Sequence, residues 1–171
     1  MDWLGVDVGS PFALAAVVLR LIVATVLGGL VGWEREASHK AAGLRTHMLV
    51  AIGAAAFTIA GLDLEQAIGT GRAEGTTRVL QGIVQGIGFL GAGQIILSRG
   101  SVHGMTTAVG IWVIGAIGVA CGAGLYVLAI TVTVFALGVL RGVAVLERRM
   151  DRADDDLGRS RRASPRRRDV G

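Results

Sequence analysis

Between Gly100 and Leu140 the chain runs for 41 consecutive residues without a lysine, arginine, aspartate or glutamate. As one helix this stretch would be about 60 Å long at 1.5 Å per residue, about twice the hydrocarbon thickness of a bilayer. Cys121-Gly122-Ala123-Gly124 lies in its middle, and paired glycines favour a tight reversal. The stretch therefore reads as two membrane spans, about 103–120 and 125–146. A water-soluble core has no use for apolar helix of this length.

Three more spans precede it. Phe12 to Trp33 is a 22-residue apolar run broken only by Arg20. Met48 to Leu62 is shorter and reaches span length with Leu44 to His47, giving 44–62, and Val79 to Ser98 completes the set. The expected fold class is all-α: a polytopic membrane helix bundle of about five transmembrane helices in residues 1–147. A mean hydropathy of +0.61 and 27 glycines agree, as does a charged fraction of 18%, below the roughly 25% of soluble domains. The segment before the first span is acidic (Asp2, Asp7), unlike the basic start of a signal peptide.

Charge placement gives an orientation. Residues 1–140 hold seven basic and seven acidic side chains, and residues 141–171 hold ten arginines against six acids. The whole excess of +4 belongs to the tail. Arg35, Lys40, Arg45, Arg99 and the tail arginines fall on one side, with only Arg72 and Arg78 opposite. The positive-inside rule then predicts N-out and C-in. Residues 148–171 read as a disordered, Arg-rich cytoplasmic tail, too polar to bury a core. Nucleic-acid binding is not expected, because no aromatic or folded reader accompanies Arg161, Arg162 and Arg166 to Arg168. The bilayer is the expected partner, and self-association is open to such a bundle.

Polar residues within or beside the spans are the candidates for function. Arg20, near the middle of the first span, costs about 2.5–3.5 kcal/mol at a helix centre and needs a partner, yet no acid lies at comparable depth; the alternative is a span that starts late, near Ala16, from which Arg20 snorkels outward. Arg78, Gln81 and Gln85 share one helical face with Gly88. Such a stripe is expected to point into the bundle or a wet cavity, as an ion path or as interhelical hydrogen bonds. Gly82 and Gly86, with Gly88, Gly91 and Gly93 nearby, read as helix-packing glycines. The run Gly86-Ile-Gly-Phe-Leu-Gly91 matches G-x-G-x-x-G, but it lacks the strand and the downstream acid that a dinucleotide site requires.

Glu34, Arg35 and Glu36 end the first span, and Arg45-Thr46-His47 opens the second. Two acids near several bases suggest an ion-pair cluster; the alternative, a Mg²⁺ site, is disfavoured because positions i and i+2 of a helix face apart. His39, His47 and His103 have no ligand-like spacing and read as surface or interface residues. Cys121 is alone, so no CxxC pair exists. No Ser-His-acid set, HExxH or phosphate loop is present. Thr106 and Thr107 read as hydrogen-bonding rather than nucleophilic. No catalytic residues, metal site or cofactor are expected.

Three of these segments occur together in a known pattern. Gly32-Trp-Glu-Arg-Glu36 with Ala42-Gly-Leu-Arg-Thr-His-Met-Leu-Val50 resembles the first signature of the MgtC/SapB family. Gln81 to Gly93 resembles the second, and Val102-His-Gly-Met-Thr-Thr-Ala108 with Trp112 and Ala116-Ile-Gly118 the third. The resemblance implies a multi-pass inner-membrane protein of about five spans, non-enzymatic and regulatory. It implies action in adaptation to magnesium limitation and in membrane-energy homeostasis, with ATP synthase as a partner, and it extends to virulence in pathogens. The alternative is a small Mg²⁺ or proton transporter using the Arg78–Gln81–Gln85 stripe. At Thr106 and Val113 the chain departs from side chains found in some members, so roles tied to those do not carry over.

Overall fold

A computed structural model describes residues 11–68, 74–98 and 101–143. Among these described residues five helices follow one another: α1 (Pro11–Ala37), α2 (Leu44–Ile68), α3 (Glu74–Ala92), α4 (Met105–Gly122) and α5 (Tyr126–Val143). The chain divides into two compact units, Met1–Ala136 and Leu137–Gly171, and the first holds the features analysed below. The tail at 148–171 lies outside the described residues.

The helices agree with the all-α membrane bundle expected from sequence. Among the described residues α1, α2, α4 and α5 are long and apolar enough to cross a membrane, and α3 is not in that group. α3 carries Arg78, Gln81, Gln85 and five glycines in 19 residues, which lowers its hydrophobicity without breaking its helix.

The third predicted span, 79–98, is shifted. The helix begins at Glu74 and stops at Ala92, and the chain then forms an antiparallel hairpin of β1 (Ile96–Ser98) and β2 (Ser101–His103). Ile96 pairs with His103 and Ser98 with Ser101. Gly93 and Gln94 close the helix with turn bonds to the Phe89 and Gly91 carbonyls. Apolar β-branched residues after that turn suit a strand as well as a span, so hydropathy alone overruns the helix end. Gly104, which leads into α4, has φ of 87° and lies against the Gln94 carbonyl. That left-handed conformation and close approach both favour a residue without a Cβ.

Close approaches between backbones fix how the helices lie. Gly28 of α1 faces Ala51 of α2, and Gly32 faces Leu44 and His47, so the two run antiparallel. Gly118 and Gly122 of α4 face Ala51 and Ala55, which makes α4 parallel to α2. Gly61 of α2 meets Val79 of α3, while Gly91 and Ile87 of α3 meet Ala108 and Gly115 of α4. Consecutive helices α1 to α4 thus alternate in direction.

α2 is gripped on one face by two small-xxx-small pairs that meet at Ala51: Gly28 and Gly32 from α1, Gly118 and Gly122 from α4. In lipid, where tails are as apolar as leucine, this close packing replaces the hydrophobic effect as the source of helix association. α4 is the most enclosed of the apolar helices, and Ile111, Ile114 and Ile117 are fully or almost fully buried along it.

A Cβ on Gly28 would lie 2.8 Å from the Ala51 Cβ and 2.9 Å from the His47 carbonyl oxygen, whereas one on Gly53 would meet nothing within 4 Å. Gly28→Ala is expected to destabilise the bundle by about 1–3 kcal/mol through overpacking. Gly53→Ala should stabilise it by about 0.4–1 kcal/mol through lost chain entropy. Thermal unfolding of both variants in detergent checks the opposite signs.

Candidate functional site

The densest polar cluster sits where α1 ends and α2 begins. Glu34 and Arg35 are adjacent in sequence and both buried, with 5% and 3% of their surface exposed. Arg35 folds back on its neighbour: Nε donates to Glu34 Oε2 at 2.6 Å and Nη2 donates to Oε1 at 2.9 Å. This is a forked guanidinium–carboxylate pair, the strongest geometry available to the two groups. Ser38, one turn later, donates its hydroxyl to Glu34 Oε1 at 3.0 Å. The carboxylate is thereby held by charge-assisted bonds.

Glu36 points elsewhere and accepts the Leu44 N–H at 2.7 Å. Leu44 is the first residue of α2, so Glu36 caps that helix and meets the positive end of its dipole. A Cβ at Gly43 would collide with this carboxylate. The pattern repeats at the far end of α2, where Glu65 Oε2 accepts from the backbone N–H and hydroxyl of Thr76 in the first turn of α3. Each of these helices carries near its end the carboxylate that caps the next one.

His47 occupies the seam between α1, α2 and α4 and is fully buried. Its Nδ1 lies 2.9 Å from the Gly43 carbonyl, one turn back. A carbonyl only accepts, so Nδ1 carries the hydrogen and Nε2 of the neutral ring is an acceptor. Nε2 has no hydrogen-bond partner among the described residues, and a Cβ on Gly110 of α4 would lie 3.8 Å from it. The sequence reading placed His47 at a surface or interface; its burial follows from Gly32 and Gly110, which leave room for an imidazole between the helices.

Arg20 finds its partner in the backbone. Its Nη1 donates to the Gly122 carbonyl at 2.9 Å, and its guanidinium lies beside Gly124. Gly122 ends α4, where carbonyls lack intrahelical partners and the helix dipole is negative. No acid is needed. Of the two depths open to Arg20, the contact favours the outer one: the residue stands level with the end of α4, and residues 11–19 of α1 project past that end.

The structure turns the α3 stripe outward. Ile83, Ile87 and Gly91 are buried against α2 and α4, and Arg78, Gln81 and Gln85 lie on the opposite, exposed face. The expectation that they point into the bundle or a wet internal cavity fails, because the core side of α3 is filled by isoleucine and glycine. Gly82, Gly86 and Gly88 also face open space, and Gly93 meets only carbonyls of its own last turn. Of the five glycines read as packing residues in this stretch, only Gly91 approaches another helix, with the Ala108 carbonyl 3.3 Å from where its Cβ would be. A small-residue pattern marks a face that can pack, without saying whether it packs within the chain.

The remaining candidates do not join a common site. Arg45 is exposed in the first turn of α2 and takes no part in the Glu34–Arg35 pair, and Thr106 is exposed while Thr107 is buried in the first turn of α4. Among the described residues no three His, Cys, Asp or Glu side chains gather as a metal-holding group.

Removing one member of a buried ion pair leaves the other uncompensated, at about 3–5 kcal/mol. Glu34→Ala and Arg35→Ala should each destabilise by that amount, and the double substitution by less than their sum, as read by thermal melts in detergent. Arg20→Ala should cost about 1.5–3 kcal/mol for a lost charge-assisted bond. It should also speed hydrogen exchange at the α4–α5 turn.

The sequence matches a family model described as MgtC family over residues 21–149. Protein MgtC of Brucella abortus (strain 2308) is 45% identical over 126 residues, covering 74% of this chain and 50% of the relative. YhiD of Escherichia coli (strain K12) is 39% identical over 133 residues, covering 74% of this chain and 60% of the relative. Protein SrpB of Synechococcus elongatus is 34% identical over 155 residues, covering 86% and 79%. The chain thus spans about half the length of the MgtC relatives it matches. No solved structure matches it. The matched segment contains the Glu34–Arg35 pair, the Glu36 and Glu65 caps and the buried His47, and the chain belongs to the MgtC family.

Proposed function

We propose that this chain is a non-enzymatic regulator in a bacterial cytoplasmic membrane, acting in adaptation to magnesium limitation and in membrane-energy homeostasis through ATP synthase. The observation that carries this reading is the disposition of polar groups. Inside the bundle Glu34 is neutralised by Arg35 and Arg20 is bonded to the end of α4. The Arg78–Gln81–Gln85 stripe lies on the outer face. A path for ions through the chain wants a succession of unsatisfied polar groups facing inward, and among the described residues the buried side-chain atom without a hydrogen-bond partner is His47 Nε2 alone; a regulator wants polar groups where another protein can reach.

The magnesium connection draws on family membership and on the name "Putative magnesium transporter YhiD" carried by the Escherichia coli relative. That name also favours a second reading, a small ion transporter. The basic residues Arg35, Lys40 and Arg45 and the ten arginines beyond residue 140 support an N-out, C-in orientation.

In the proposed role, a deletion strain grows poorly at low magnesium and is restored by the intact gene. Purified protein in liposomes conducts neither Mg²⁺ nor protons, and an ATP synthase subunit co-purifies from membranes. Flux that Gln85→Leu abolishes would overturn the regulator in favour of the transporter. A reporter fused after Leu157 is active only in the cytoplasm; activity on the outer side would overturn the orientation.

A further inference from the structure

The seam between α1, α2 and α4 encloses an imidazole that is bonded on one edge only. His47 is fully buried, its Nδ1–H is given to the Gly43 carbonyl, and its Nε2 has no partner among the described residues. A buried acceptor without a donor weakens the fold. The Gly43 carbonyl also accepts the His47 backbone N–H at 3.2 Å, so an apolar ring at this position would leave no backbone group unmade. For packing alone a histidine is the poorer choice. What sets it apart from an apolar ring is that Nε2 can take up a proton.

The closed seam has no place for that proton. A protonated Nε2 is a donor, and it faces Gly110, where a Cβ would lie 3.8 Å away. α4 has no titratable side chain before Cys121 at its far end. From α1, Glu34 and Arg35 act on the ring with opposite signs and are bonded to each other. Glu36 holds the Leu44 N–H, while His39, Lys40 and Arg45 are exposed. The ring also sits in the first turn of α2, the positive end of that helix dipole. Nor is there slack, since a Cβ on Gly32 would stand 2.9 Å from the His47 Cβ. A buried cation without a counter-charge or an acceptor is strongly disfavoured.

We propose that His47 is an acid-sensitive latch on this seam: the neutral ring lets it close, and protonation draws the imidazole out to water at the α1–α2 turn and parts the helices there. The path is short, because Arg45 and Thr46 beside it are already exposed. Gly118 and Gly122 against α2, and Arg20 on the end of α4, hold the other end shut. In the open form the ring titrates as an ordinary histidine, near pH 6.5 or about that. Closure is therefore complete above that pH and is lost as the pH falls below it. Between about pH 7.5 and about pH 5.5 the ratio of open to closed seam rises about tenfold.

The inference stands apart from the regulatory reading above, since it concerns closure of the bundle whatever the bundle does. Its test is hydrogen exchange of the full chain in nanodiscs at those two pH values, read at amides 44–50 and 107–112 and, for reference, at 118–124. His47→Phe keeps a ring and cannot titrate. Comparison with it cancels the intrinsic pH dependence of exchange, and the exposed His39 and His103 titrate in both chains. Relative to that variant, the amides around His47 and Gly110 should exchange about tenfold faster at the lower pH, with 118–124 unchanged. Gly110→Ser keeps the ring and sets a hydroxyl beside Nε2, where a Cβ meets no other atom within 4 Å. It should flatten the acid response, and it serves as the comparison if His47→Phe does not fold. Three results would overturn the latch: no acid response in the unaltered chain, the same response in His47→Phe, or a response strongest at 118–124.

Discussion

The tolerance between α2 and its two neighbours sets everything else. Gly28 and Gly32 press on α2 from α1, Gly118 and Gly122 from α4, both pairs on the face that carries Ala51, and at each contact a methyl group would have no place. In water, burial of leucine would hold such helices together with side chains in between. In lipid that driving force is missing, so the helices close until backbone meets side chain and dispersion does the holding. His47 fits between α1, α2 and α4 because Gly32 and Gly110 flank it. The Glu34–Arg35 pair sits at the same end, where α1 and α2 have already converged.

Polar contacts then fasten helix ends rather than helix middles. Glu36 caps α2, Glu65 caps α3, and Arg20 serves the last carbonyl of α4. In every case a side chain satisfies backbone groups that a helix terminus leaves open. The arrangement lets charged residues exist beside a membrane without facing hydrocarbon: their counter-groups are peptide dipoles, available wherever a helix stops. The buried Glu34–Arg35 pair is the exception: two consecutive side chains meet each other, with the Ser38 hydroxyl as a further donor to Glu34.

Much of the architecture was legible in the sequence because membrane crossing imposes a long, countable signal. The uncharged run up to Leu140 became α4 and α5 from Met105 onward, with the reversal at Cys121 to Gly124 between them, and the first two apolar runs became α1 and α2. The third span was misjudged at its end, since Ile95, Ile96 and Leu97 are equally at home in a strand and a span. Directionality was the larger difficulty. The residues Arg78, Gln81 and Gln85 were correctly seen to share a face, but helical periodicity states which residues point together and not toward what. The same blindness assigned packing to Gly82, Gly86 and Gly88, while the tight contacts belong to Gly28, Gly32, Gly118 and Gly122. Arg20 was sought an acid, when its partner is a carbonyl, and every residue has a carbonyl. Nothing local to His47 announced its burial, which depends on glycines 15 residues before it and 63 after it in the chain.

The contacts at helix ends differ in when they become available during synthesis. Glu36 and Glu65 each precede the helix they cap, so the acceptor is already in place when the nascent N–H groups of α2 and α3 emerge. Arg20 faces the reverse situation: Gly122 lies 102 residues downstream. At an elongation rate of about 5–20 residues per second, Arg20 waits about 5–20 s for its partner. Through that interval α1 carries an uncompensated cation near the membrane boundary, held there by its own affinity for water. The arrival of the α4 terminus ends this exposure and ties α1 to α4.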